Sequence, residues 1–137
     1  MRFPKEIPVF GDLNYRGGCP SELADHITAV GMIKHQHPDL FAIMIHPKNE
    51  GKRTKRQAAD EKRTGSLNKG ASDFIFPCSP ALVIELKRRD HTKSRWQDGQ
   101  IAYLKAAQHM GAFACVALGW QGVLEAIELH VKLIAKP

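Results

Sequence analysis

Two carboxylates and a lysine are spaced so that they could work together: Asp73, and Glu85 with Lys87 two positions further on. Glu85 and Lys87 lie within Ala81-Leu82-Val83-Ile84-Glu85-Leu86-Lys87-Arg88-Arg89. The alternation of Leu82, Ile84 and Leu86 with Val83, Glu85 and Lys87 reads as one strand. Side chains two apart on a strand point the same way, about 6–7 Å apart along it. So apolar a run predicts a central strand, where an unpaired charge is costly. On these residues alone, a salt-bridged pair on an edge strand fits as well as a site does.

The upstream residues add a second acid. Gly65-Ser66-Leu67-Asn68-Lys69-Gly70-Ala71-Ser72 is a loop by composition. It leads into Asp73-Phe74-Ile75-Phe76, a short β-like run stopped by Pro77. Pro77-Cys78-Ser79-Pro80 then connects to the Glu85 strand, giving a hairpin. Antiparallel pairing places Asp73, at the start of one arm, beside Glu85, near the end of the other. Two acids and a lysine at one end of a hairpin suit a divalent cation.

The elements that position this hairpin can be taken in chain order. With 137 residues the chain makes one domain large enough for its own core. Residues 1–19 carry prolines and glycines without periodicity and read as an extended arm, leaving 20–137 as the single domain. Ser21 caps a helix with Glu22 in its first turn, where an acid also simply suits the helix dipole. Leu23, Ile27, Val30 and Ile33 form its expected inward stripe, and Pro38 closes it. Leu40 to His46 reads as a first strand. Pro47 to Lys69 holds eight basic against three acidic residues, +5 of the chain's net +6. Such a run serves either as a solvated helix face or as a phosphate-binding surface. Ser94 is expected to cap a helix from about Arg95 to Met110, with Trp96, Tyr103, Leu104, Ala107 and Met110 inward. Gln100 interrupts that stripe and needs a hydrogen-bond partner, unless it sits on an exposed flank. Ala112 to Leu118 is a buried strand, and Gln121 to Ile134 a closing helix with Leu124, Ile127 and Val131 on one side. The order predicts a mixed sheet with helices on its faces.

Composition narrows the class of partner. The apolar fraction of 43% and charged fraction of 25% are ordinary for a globular protein. The pI near 9.4 favours a polyanion such as nucleic acid. Cys19, Cys78 and Cys115 lie far apart, which argues against a disulfide framework or a zinc ribbon and fits a reducing cytoplasm. No apolar run approaches the length of a membrane span, and the N-terminus lacks a signal peptide's apolar core. The expected location is cytoplasmic, with no membrane association.

In their order and spacing these residues resemble the PD-(D/E)xK nuclease superfamily, with Asp73 and Glu85-Leu86-Lys87 as its acid and acid-x-Lys. More narrowly the chain resembles the virus-type replication–repair nuclease (VRR-NUC) domain, in its small stand-alone phage and bacterial branch. The likeness rests on Glu22 early in a helix, Asn49-Glu50-Gly51-Lys52-Arg53, Lys69-Gly70-Ala71-Ser72-Asp73, the Glu85 strand, and Gln100 ahead of Gly111. It spans roughly residues 20–125. Where that family has Pro before the aspartate, this chain has Ser72.

The resemblance implies a restriction-endonuclease-like α/β core in αβββαβ order. It implies a DNA endonuclease that leaves 5′-phosphate and 3′-hydroxyl ends. An oxygen-rich set without a His or Cys cluster suits Mg²⁺ or Mn²⁺. The implied ligands are Asp73, Glu85 and the Leu86 carbonyl, with Glu22 on a second ion or acting through water. Lys87 would orient the attacking water or neutralise charge, and Gln100 would position the water or the Lys87 amine. Asn49, Arg53, Lys69, Arg88 and Arg89 are candidates for phosphate contact. Such contacts carry little sequence information, so structure-selective cutting is expected. The likeness extends to Holliday-junction resolvases, for which a homodimer is expected. The competing reading is a basic nucleic-acid-binding module without catalysis. A histidine–metal nuclease built on His35, His37, His46 and Asn49 lacks a second histidine pair at ligand spacing.

Overall fold

The computed structural model describes residues 1–47, 54–65 and 68–135. Asn49 and Arg53, and with them the Asn49–Arg53 motif, lie outside the described residues. Four strands form one mixed sheet in the order β1 (Val9–Phe10), β4 (Phe113–Leu118), β3 (Leu82–Lys87), β2 (Phe74–Phe76). The β1–β4 and β4–β3 pairs are parallel and the β3–β2 hairpin is antiparallel. Helices α1 (Glu22–Gln36), α2 (Pro38–Ile43), α3 (Lys55–Thr64), α4 (Gln100–His109) and α5 (Gly119–Ala135), with a short 3-10 turn at His91–Lys93, complete the described elements. The arm expected over residues 1–19 thus contributes an edge strand, and its Ile7 is 2% exposed.

β3 is buried along its whole length, as its apolar density requires. Its two faces feed two cores. Leu82, Ile84 and Leu86 pack with Cys115 and Ala117 of β4, Ala29 and Ile33 of α1, and Val123, Ala126 and Ile127 of α5. Val83 joins Ala114, Val116 and Leu118 of β4, Ile7, and Leu104 of α4 on the other face. Glu85 and Lys87 share this second face, so both charges are built into the interior.

Three expectations are corrected. Leu40–His46 is not a strand: Pro38 at the start of α2 presets a helical φ, and Leu40, Phe41 and Met44 reach the core at helical spacing. Of this run, Ile45 alone pairs with the sheet's backbone, through a reciprocal bridge to Ile75. On α1 the buried stripe is Asp25, Ala29 and Ile33, while Leu23 and Ile27 are 68% and 63% exposed. The inward stripe runs through small Ala29, which allows close packing on α5, and it continues back to Glu22. The helix expected from Arg95 begins instead at Gln100, behind Gly99 at φ +89°, and Met110 faces solvent. Ser94 instead ends a 3-10 turn, His91–Lys93, and its hydroxyl accepts the Arg88 N–H at 2.9 Å.

One backbone contact ties the loop before Asp73 to the start of α4. A Cβ on Gly70 (φ +81°) would lie 2.2 Å from the Gly99 carbonyl carbon, and one on Gly99 would lie 2.8 Å from the Lys69 carbonyl oxygen. Both glycines also occupy the left-handed region that side chains disfavour. Gly70→Ala is expected to destabilise the fold by about 2–4 kcal/mol, combining backbone strain with overpacking. Urea denaturation measures this, and an unchanged midpoint would mean that the two backbones do not touch in solution.

Candidate metal centre

The hairpin register delivers the first two acids. Phe74 pairs with Ile84, so Asp73 sits next to the Glu85–Leu86 segment at the open end of the ladder. The Asp73 Oδ2 accepts the Leu86 N–H at 2.8 Å, replacing the backbone partner that strand has run out of. A strand residue's carbonyl faces the same side as its N–H, so the Leu86 carbonyl also looks toward Asp73. Glu22 comes from α1, whose first turn is fixed by Ser21 accepting the Ala24 N–H at 3.1 Å. Ligand oxygens of Glu22, Asp73 and Glu85 all lie within 4.8 Å of one another.

Three carboxylates this close repel, and the burden falls on Glu85. It is 1% exposed, and burial pushes its carboxyl well above the ordinary carboxylate range. The adjoining Asp73 carboxyl raises it further and Glu22 adds to the effect, while the Lys87 ammonium opposes them. Glu85 Oε2 accepts the Gln100 amide N–H at 3.3 Å, and Oε1 is buried with no hydrogen-bond partner. A buried acceptor of this kind, beside two more carboxylates, fits a hard divalent cation with oxygen ligands.

Lys87 is 1% exposed, and its ammonium donates to the Arg95 carbonyl at 2.9 Å and to Gln100 Oε1 at 2.7 Å. The Gln100 amide therefore bridges Lys87 and Glu85, and its oxygen also accepts the Gln97 N–H at 2.8 Å. This is the partner that a glutamine near the interior requires, supplied at the first turn of α4 rather than mid-helix.

The basic candidates are placed differently. Arg88 donates to the carbonyls of Cys19 at 2.8 Å and Pro20 at 3.1 Å, pinning the segment that leads into Glu22. The Arg89 guanidinium lies 4.0 Å over the Tyr15 ring. Lys69 pairs with Asp98 at 2.8 Å, both largely exposed. Helix α3, the described part of the basic insert, has no buried residue.

Two neighbours of the site, His26 and Asp25, do not stand out in the sequence, and His46 does so only as part of a histidine–metal alternative. The His46 ring N–H donates to the Asp73 carbonyl at 2.8 Å, and His26 stacks on Phe74 with its ring centroid 4.2 Å from that of His46. The four-residue spacing of Glu22 and His26 was the available signal, since it puts both on one helix face. Asp25 of α1, 1% exposed, faces the Trp120 amide at the start of α5. Burial raises its carboxyl, against the pull of the Trp120 amide and of Arg88 and Arg89.

Fold and site together define an α/β protein with a mixed four-stranded sheet, helices on its faces and an acidic cluster at the end of its hairpin. A solved structure described as a VRR_NUC domain protein has this fold, with a TM-score of 0.69, 24% sequence identity, and coverage of 87% of this chain and 93% of that one. At that identity the likeness is one of fold. No protein-family model matches the chain, and no curated protein matches its sequence.

Proposed function

We propose that this protein is a divalent-metal-dependent DNA endonuclease of the VRR-NUC type, within the PD-(D/E)xK superfamily. The observation that carries the reading is the convergence of Glu22, Asp73 and Glu85 within 4.8 Å, beside a buried lysine held by a glutamine. The net charge of +6 and the likeness to a VRR_NUC domain fold support it. Asp73, Glu85, Glu22 and the Leu86 carbonyl would hold Mg²⁺ or Mn²⁺. When bound, such an ion polarises a scissile phosphate and lowers the pKa of an attacking water. Lys87 supplies a fixed positive charge against the charge growing on the phosphoryl oxygens. Gln100 holds the Lys87 ammonium and one Glu85 oxygen in register. Asn49, Arg53, Lys69 and Arg89 would contact the DNA backbone, whereas Arg88, whose guanidinium holds the Cys19 and Pro20 carbonyls, would act through the segment before Glu22.

Branched DNA, including four-way junctions, is the proposed substrate, cut by a homodimer in the cytoplasm. A two-fold pair of sites suits a two-fold junction. Three free cysteines support the location, and no helix among the described residues is long and apolar enough to cross a membrane. The test offers duplex, flap, single-stranded and four-way junction DNA with Mg²⁺ or Mn²⁺, then with chelator. Chelator-sensitive cleavage that prefers branched DNA is expected. Binding without cleavage in any metal would favour the non-catalytic module instead. Sedimentation at micromolar protein should show a dimer, and a monomer both with and without junction DNA would rule that assembly out.

A further inference from the structure

Lys87 shares its face of β3 with Glu85, yet both hydrogen-bond acceptors of its ammonium are neutral. An ammonium has three N–H donors. Two go to the Arg95 carbonyl and Gln100 Oε1, and the third side is closed by the face of Trp96, whose ring centroid is 4.9 Å from the nitrogen. That ring is itself anchored from outside. Its indole N–H donates to the Arg2 carbonyl at 2.8 Å, and Phe3 meets it edge-on with centroids 6.0 Å apart. The N-terminal segment thus fixes the ring that fixes the lysine.

We infer that Trp96 is a positioning residue whose ring face keeps the Lys87 ammonium from pairing directly with Glu85 or Asp73, so that a cation rather than the ammonium meets their charge. An ammonium desolvated at this depth is strongly attracted to carboxylates. Without a competing wall it would swing into direct pairing with Glu85 or Asp73 and occupy the position of the cation. A carbonyl, an amide oxygen and a π-face supply three weaker, neutral attractions in place of a carboxylate. This inference rests on the metal-centre reading above.

The test measures Mn²⁺ binding to the full-length protein by titration calorimetry, without DNA. Trp96→Ala is expected to weaken Mn²⁺ about tenfold. Trp96→Phe keeps a ring face and should stay within about threefold of wild type. The deciding comparison is the double variant Trp96→Ala/Lys87→Met. With no ammonium to collapse inward, removing the ring should no longer weaken the metal. The inference is overturned if Trp96→Ala binds Mn²⁺ like wild type, if Trp96→Phe is as weak as Trp96→Ala, or if the loss persists unchanged in the Lys87→Met background. The last result would mark Trp96 as a general support of the loop. Wild-type protein that binds no Mn²⁺ would remove the metal centre itself, a failure distinct from these three.

Discussion

Replacing Glu85 with Gln is expected to abolish metal-dependent cleavage, by about three orders of magnitude, while stabilising the metal-free protein at alkaline pH. The two effects share one cause. Glu85 is buried among like charges with one oxygen unpartnered, so its ionised form is unfavourable until a cation arrives. The sign follows from linkage. A carboxyl whose folded pKa is raised binds more protons in the folded state than in the unfolded one. Its contribution is present below the ordinary carboxylate value and is lost as pH rises through the raised value. The metal-free wild type should therefore melt lower at pH 8 than at pH 6, and Glu85→Gln should flatten that dependence. Saturating Mn²⁺ should restore the wild type at pH 8, by about 2.7 kcal/mol at one hundred times Kd, and leave the variant unmoved. Melting curves at two pH values with and without Mn²⁺, beside a cleavage assay, read all of this. Cleavage surviving in Glu85→Gln would place the chemistry elsewhere.

The hairpin that carries the cluster was legible because its signal is local. Period-two alternation fixes which way Glu85 and Lys87 point, and a short connection fixes which acid stands beside them. The helices were less legible. Apolar type alone made Leu23 and Ile27 look buried, but α1 packs through Ala29 and carries Asp25 into the interior. An apolar run such as Leu40–His46 fits a strand or a buried helix equally, and Pro38 decided for the helix. Gln100 drew notice for its polarity, whereas the start of its helix depended on a left-handed Gly99 lodged against Lys69. Beyond Gln100, the surroundings of Lys87 had no local signature. Its partners come from the Arg95 carbonyl, the Trp96 ring and, behind that ring, Arg2 and Phe3, and only the folded chain brings these together.

Lys87→Met is expected to cost about two to three orders of magnitude in cleavage and leave Mn²⁺ binding as tight as in wild type or tighter. With its N–H groups engaged by Arg95, Gln100 and the Trp96 face, Lys87 acts as a fixed charge near the developing oxyanion, and loss of one preorganised electrostatic stabiliser costs a factor of about 10²–10³. Lys87 is well suited to that role because it cannot relax: it is 1% exposed and held at fixed distances by Arg95 and Gln100. Methionine keeps the stem and fills the space under Trp96, so the fold should survive. The Arg95 carbonyl and Gln100 Oε1 lose a donor, a loss of about 1–3 kcal/mol if water does not replace it. Removing a positive charge beside three carboxylates does not weaken their hold on a cation. Metal affinity and turnover should therefore separate in this variant. In Glu85→Gln they should fall together. If Lys87→Met loses both in parallel, the lysine is a structural support for the carboxylates, and the positive charge at the scissile phosphate must come from elsewhere. Arg53 and Lys69, both within the basic insert, would then be the next side chains to replace.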